Sequence, residues 1–187
     1  ELKRDENPEV VINQLFKHTQ LQTNFNIQLL CVDNGRPRTL NLKELLRGFI
    51  DFRIEVVTSR TKFELARARE RAHILEGLKI ALDNLDAVIK TIREAESPPV
   101  AREALMLNFG LSQIQAQAIL EMRLQRLTGL ERDKILQELK EILARIAELE
   151  GILSSEAKVM DIIVSELEGV RDQFGDARRT EIVDSGY

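Results

Sequence analysis

The sequence predicts a mainly α fold: a long antiparallel coiled-coil arm with a small helical knob at its tip, plus a short β segment from an incomplete N-terminal domain. Three observations carry this. Two long stretches, Leu42–Glu96 and Leu130–Gln173, hold apolar residues at helical spacing; a Pro- and Gly-punctuated insert separates them; and β-branched runs with a turn signal occupy the first forty residues.

Residues 1–40 follow a strand rule. Glu9-Val10-Val11-Ile12 and Ile27-Gln28-Leu29-Leu30-Cys31-Val32 are short apolar or β-branched runs. Asp33-Asn34-Gly35 is a turn signal, because Asn and Gly tolerate positive φ, and it predicts a hairpin returning through Arg38-Thr39-Leu40. Two or three strands make no complete core, so this segment reads as the edge of a larger domain. Asn41 with Glu44 three residues on forms a capping-box pattern that starts the outgoing helix, 41–97. That helix offers Leu75, Leu78, Leu82, Leu85, Ile89 and Ile92 near the knob, and Leu45, Phe49, Phe52, Val56 and Phe63 further out. Leu45 and Ile92 fall within roughly 20° of each other on a straight helix, which suits a stiff, weakly supercoiled arm.

The knob spans 98–129. Pro98-Pro99 stops the first helix, Val100–Leu107 supplies two turns, and Asn108-Phe109-Gly110 ends them. Ser112 with Gln115 is a second capping box, opening a helix from Gln113 to about Leu127, and Thr128-Gly129 resets the chain. In the return helix, 130–173, Ile135, Leu139, Ile142, Leu143, Ile146, Leu149, Leu153, Met160, Ile163, Leu167 and Val170 form one seam, with Glu156 its single polar interruption. At 1.5 Å per residue the two stretches would run about 80 Å and about 65 Å. Residues 174–187 lead back toward the N-terminal domain.

Composition narrows the function classes. With 31% charged residues, 4% aromatic and no Trp, the chain has material for helical seams but little for a broad core. No run of about 18 apolar residues and no charged-then-apolar leader is present, so neither membrane spanning nor secretion is expected. Cys31 stands alone, which points to a reducing cytoplasm and an inert core thiol. His18 and His73 have no second ligand at useful spacing, so no metal site is expected, and His73 reads as a packing residue. The net charge of −4 is uneven: residues 1–62 carry +2 and the remainder −6, which places any DNA contact at the N-terminal end. Arg36, Arg38 and Arg47 are the candidates there, with Arg53, Arg60 and Lys62 beyond them.

Two further features ask for a role. The knob holds more apolar residues than it can bury, which points to a partner surface, most simply a second copy, through Leu107, Phe109, Leu111, Ile114, Ala118 and Met122. Gly77 and Gly151 sit inside helices, each costing about 1 kcal/mol relative to Ala. If Ile92 and Ile135 share a level, Gly77 faces Glu150 and both glycines fall at one height, a candidate arm hinge; close helix packing is the competing explanation.

The run from Leu107-Asn108-Phe109-Gly110-Leu111-Ser112-Gln113-Ile114-Gln115-Ala116-Gln117-Ala118 through Leu127-Thr128-Gly129-Leu130-Glu131 closely resembles the coiled-coil tip of the bacterial DNA gyrase A-subunit family, type IIA topoisomerases. Asp33-Asn34-Gly35-Arg36-Pro37-Arg38-Thr39-Leu40 resembles the end of that family's tower domain, and Arg71-Ala72-His73-Ile74-Leu75-Glu76-Gly77-Leu78 its outgoing helix. Phe174-Gly175-Asp176-Ala177-Arg178-Arg179-Thr180-Glu181-Ile182 resembles the segment after the return helix, and its Arg-Arg-Thr-Glu-Ile favours gyrase over topoisomerase IV.

The resemblance implies a non-catalytic stalk and lower (exit) gate, pairing as a homodimer through the knob. The full enzyme would supercoil DNA by ATP-dependent passage of double-stranded DNA, with Mg2+ and ATP bound through the B subunit. The cleaving tyrosine of that family lies in a winged-helix context that Tyr187 lacks, so the fragment itself is expected to cut nothing and to hold no cofactor. The alternative is a free-standing antiparallel coiled-coil spacer dimerising through its tip, although the knob has no Cys for a zinc hook. An enzyme acting alone is weakest, for want of a carboxylate cluster, a metal-ligand set or a phosphate-binding Gly loop.

Overall fold

The computed structural model describes residues 7–33, 35–122 and 129–183, and it divides the chain into two units, Glu1–Ile50 and Asp51–Tyr187. The first unit opens with a helix rather than a strand. Asn7 caps it, its side-chain oxygen accepting from the Glu9 amide at 3.0 Å, and Pro8 provides the preset φ of a first helical residue. The cap outweighs the strand preference of Val10 and Val11, so Pro8–His18 is α1 and the β reading of this run is corrected. The hairpin is present: β1 (Leu29–Asp33) pairs antiparallel with β2 (Arg36–Leu40), from Leu29↔Leu40 to Asp33↔Arg36. Gly35 takes φ +76°, and Asn34 lies outside the described residues. Among the described residues of this unit none is buried; Val10, Phe16, Phe25, Ile27 and Val32 all stand exposed. A lone two-stranded sheet cannot bury them.

The capping box at Asn41 is formed in both directions, each bond 2.9 Å long, and starts α2 (Leu42–Asp83). The outgoing stretch is not continuous to residue 97. The Asn84 side-chain amide donates to the Ile80 carbonyl at 2.9 Å, competing for the last turn, and α3 (Leu85–Glu94) restarts after it. Pro98 and Pro99 do more than stop a helix: they occupy the first turn of α4 (Pro98–Phe109), three turns long where two were expected. Gly110 closes α4 at φ +64°. Next comes α5 (Gln113–Leu120), shorter than the helix to Leu127 that the spacing predicts; residues 123–128 lie outside the described set.

The return stretch is also broken. α6 (Gly129–Leu153) ends where the Ser154 hydroxyl donates to the Gly151 carbonyl at 2.9 Å, and α7 (Glu156–Phe174) begins after Ser155. A Ser side chain that bonds nearby backbone offers the chain an alternative to the helix, and Ser154 takes it.

Within the second unit α2 runs antiparallel to α6 and α7. One buried cluster joins Ala72, Leu75, Leu78, Ala81 and Leu82 of α2 to Val88 of α3, Leu105 of α4, Leu111, Ala116 and Ile119, and Ile135 and Leu139 of α6. A second joins Val57 to Val159 and Ile163 of α7. The buried seam of α2 therefore continues outward through Leu65, Thr61 and Val57, while Phe52 and Phe63 of the expected seam are exposed. On the return side beyond the break, Val159 is buried in place of Met160, while Ile163 of the expected seam is buried.

Candidate interaction site at the knob

The knob is built by two helix ends meeting at one turn. Gly110 in the left-handed region turns the chain so that Leu111 points back into the core, only 4% exposed, and the next residue, Ser112, becomes the cap of α5. The Ser112 hydroxyl accepts from the Gln115 amide at 3.2 Å, and the Gln115 side-chain oxygen accepts from the Ser112 amide at 2.9 Å.

This capping box also fastens α5 to α2. Gln115, 7% exposed, donates its side-chain amide to the His73 carbonyl at 2.7 Å, and the Ser112 Oγ stands 2.7 Å from His73 Nε2. One turn beyond His73, Gly77 leaves room for the same glutamine: a Cβ there would lie 2.6 Å from both Cβ and Cγ of Gln115. Gly77 is thus explained by close packing against the knob. The equal-height premise of the hinge is not met, because Arg69 pairs with Glu150, whereas Gly77 falls between Arg71, which pairs with Glu138, and Asp83, which pairs with Arg132. Gly151 lies beside Arg60, Thr61 and Glu64, about four turns of α2 away from the level of Gly77.

The six interface candidates divide by burial. Leu107 and Ile114 are 84% and 63% exposed, whereas Phe109 and Met122 are half-buried against the core cluster, Ala118 is half-buried, and Leu111 is core. Leu105, Leu111, Ala116 and Ile119 are buried in the cluster shared with α2, α3 and α6, so the apolar surplus of the knob is smaller than expected and is concentrated at Leu107 and Ile114, with Val100 beside them in exposure. Ile114 also lines a cavity of about 400 Å³ with Arg69, Glu70, His73 and Ile74.

The basic candidates separate similarly. Arg38 is tied to Asp33 at 2.7 Å, while Arg36 and Arg47 are exposed and make no ion pair among the described residues. Arg53 and Arg60 both bond Glu166, so they brace α2 to α7 instead of facing solvent alone. The hydrogen bond from Arg60, seconded by Arg53, holds the Glu166 carboxyl below the usual carboxylate range. The bidentate hydrogen bond to Glu138, at 2.7 and 2.9 Å, raises Arg71. Arg145 is raised by its bonds to Glu148 and Glu64. Cys31 is a half-buried strand residue 3.8 Å from the Arg38 carbonyl, not a core thiol. Among the described residues no group of three His, Cys, Asp or Glu side chains could hold a metal, and no helix is long and apolar enough to cross a membrane.

The family model for the A subunit of DNA gyrase/topoisomerase IV matches residues 1–168. The chain belongs to this family. It is 54% identical over 186 residues to the DNA gyrase A subunit of Dehalogenimonas lykanthroporepellens, covering 100% of the chain and 23% of that protein. It is 50% identical over 187 residues to the DNA gyrase A subunit of Staphylococcus aureus strain MRSA252, covering 100% of the chain and 21% of that protein. The chain therefore spans about a fifth of the length of the curated gyrase A subunits it matches. In this gyrase-type chain the sequence reading missed the junction of His73 with Ser112 and Gln115. Its sequence signal was a His and a Gly one turn apart on α2, together with the Ser112–Gln115 pattern; the burial of Gln115 that joins them is visible only in the fold.

Proposed function

We propose that this segment is the non-catalytic stalk and exit gate of a DNA gyrase A subunit, in which two knobs pair reversibly while an upper DNA gate opens. The observation that carries the reading is the pair of exposed apolar side chains, Leu107 and Ile114, on a knob whose Leu105, Leu111, Ala116 and Ile119 are buried in the core cluster. An isologous contact between two copies would cover them. Cross-helix ion pairs between α2 and its partners support the arms as levers that carry movement to the knob: Arg53 and Arg60 with Glu166, Arg71 with Glu138, and Asp83 with Arg132.

In the whole enzyme the partners would be the B subunit, which would bring Mg2+ and ATP, and double-stranded DNA in the cytoplasm. Arg36, Arg47 and Lys62 are exposed and make no ion pair among the described residues, so they could meet phosphate directly, and Arg38 would first have to leave Asp33. In a complete A subunit joined to its B subunit, Leu107→Glu with Ile114→Glu is expected to abolish ATP-dependent supercoiling. Unchanged supercoiling would remove the gate reading.

A further inference from the structure

The contact of α5 with α2 runs through the main chain of α2 as well as through side chains. Gln115, 7% exposed, donates its side-chain amide to the His73 carbonyl at 2.7 Å. That carbonyl lies in the interior of α2, where the helix engages it through the amide of the residue four positions on, Gly77. A carbonyl oxygen has a second lone pair to offer. A side chain at 77 would stand in the path to it: a Cβ there would lie 2.6 Å from Cβ and Cγ of Gln115 and 3.0 Å from its Cδ. The oxygen of the same side-chain amide accepts from the Ser112 backbone amide at 2.9 Å, at the start of α5. One side chain therefore joins the first turn of α5 to one carbonyl of α2. A buried polar group satisfied in this way selects one orientation, whereas apolar packing alone tolerates several.

We propose that Gln115 is the positioning residue of the knob: through the gap left by Gly77 it seats α5 on α2 in one orientation, and so sets the direction in which the adjacent Ile114, 63% exposed, is presented. The seat itself does not depend on pairing, but its consequence for the gate rests on the pairing reading above.

The test uses the 187-residue chain at pH 7. Amide exchange of Ala116 and Ile119 reports the seat, and that of Ile163, in the separate cluster with Val57, reports the arm. Gln115→Glu keeps an acceptor for the Ser112 amide, since capping boxes use Glu and Gln alike, but sets a carboxylate oxygen against the His73 carbonyl. Protection of Ala116 and Ile119 is expected to fall about tenfold, the worth of one hydrogen bond, with Ile163 unchanged. Unchanged protection at all three would mean that Gln115 serves only its own cap, and would overturn the proposal. Gly77→Ala is expected to lower protection by a similar factor beside Gln115 but not in a Gln115→Gly background, which removes the overlapping Cβ and Cγ. An equal loss in both backgrounds would overturn the part given to Gly77. In sedimentation, Gln115→Glu should pair only at several-fold higher concentration than the wild type; equal pairing would overturn the positioning of Ile114. A wild type that stays a single copy would count against the gate reading alone, and the exchange results would then decide the seat.

Discussion

At the residue scale, two glycines in helices of the same arm have opposite explanations. A methyl at Gly77 would overlap Gln115 side-chain carbons at 2.6 Å, with the glutamine held at both ends of its amide. Gly77→Ala is expected to destabilise by about 1–3 kcal/mol through overpacking. A methyl at Gly151 meets only the mobile end of Lys158, at 3.2 Å, so Gly151→Ala should be neutral or stabilising by up to about 1 kcal/mol. Urea unfolding of the two variants checks the difference, and equal effects would contradict the packing account. Glu166 gives a pH prediction. Its folded-state carboxyl is lowered by Arg60 and Arg53, so its contribution is complete above the unfolded carboxylate range and is lost as pH falls through the lowered value. Because these side chains are partly exposed, the effect is modest. The stability difference between wild type and Glu166→Gln, measured by urea unfolding, should be present at pH 7 and vanish in acid.

At the element scale, the buried seam separates residues that composition treats alike. Leu75 is fully buried, and Leu75→Ala is expected to cost about 2–5 kcal/mol. Phe63 is exposed with Arg67 over its ring at 5.8 Å, so Phe63→Ala should stay within about 0.5 kcal/mol. Thermal unfolding of both distinguishes this seam from one drawn through the aromatics. The inner half of the seam was legible because Leu75, Leu78 and Leu82 repeat cleanly against Ile135 and Leu139. The outer half was not, because large apolar residues outshone Thr61, whose hydroxyl is satisfied by the Val57 carbonyl at 2.8 Å and can therefore be buried. Both capping boxes were readable from short-range spacing. The breaks at Asn84 and at Ser154-Ser155 were missed because periodicity registers apolar phase, whereas these breaks arise from small polar side chains bonding backbone one turn back. α1 was misread for a related reason: β-branched content was weighed above the Asn7-Pro8 cap.

At the scale of the whole molecule, the chain is a gyrase A-type segment about a fifth as long as the subunits it matches. The apolar run that carried the resemblance turned out to serve two purposes. Leu111, Ala116 and Ile119 are buried in the cluster that includes α2 and α6, while Leu107 and Ile114 remain for something else. Sequence spacing could locate the knob but could not divide it, because the division depends on α2 arriving beside it with His73 and Gly77 in register. The central claim, that the exposed side of the knob is a pairing surface, is tested most directly by sedimentation of the 187-residue chain across a dilution series beside Leu107→Glu, Ile114→Glu. The account predicts a mass of twice 21.4 kDa for the wild type at high concentration, falling to one copy on dilution, and a folded single copy at every concentration for the variant. A wild type that stays at 21.4 kDa throughout, or a variant that still pairs, would contradict it.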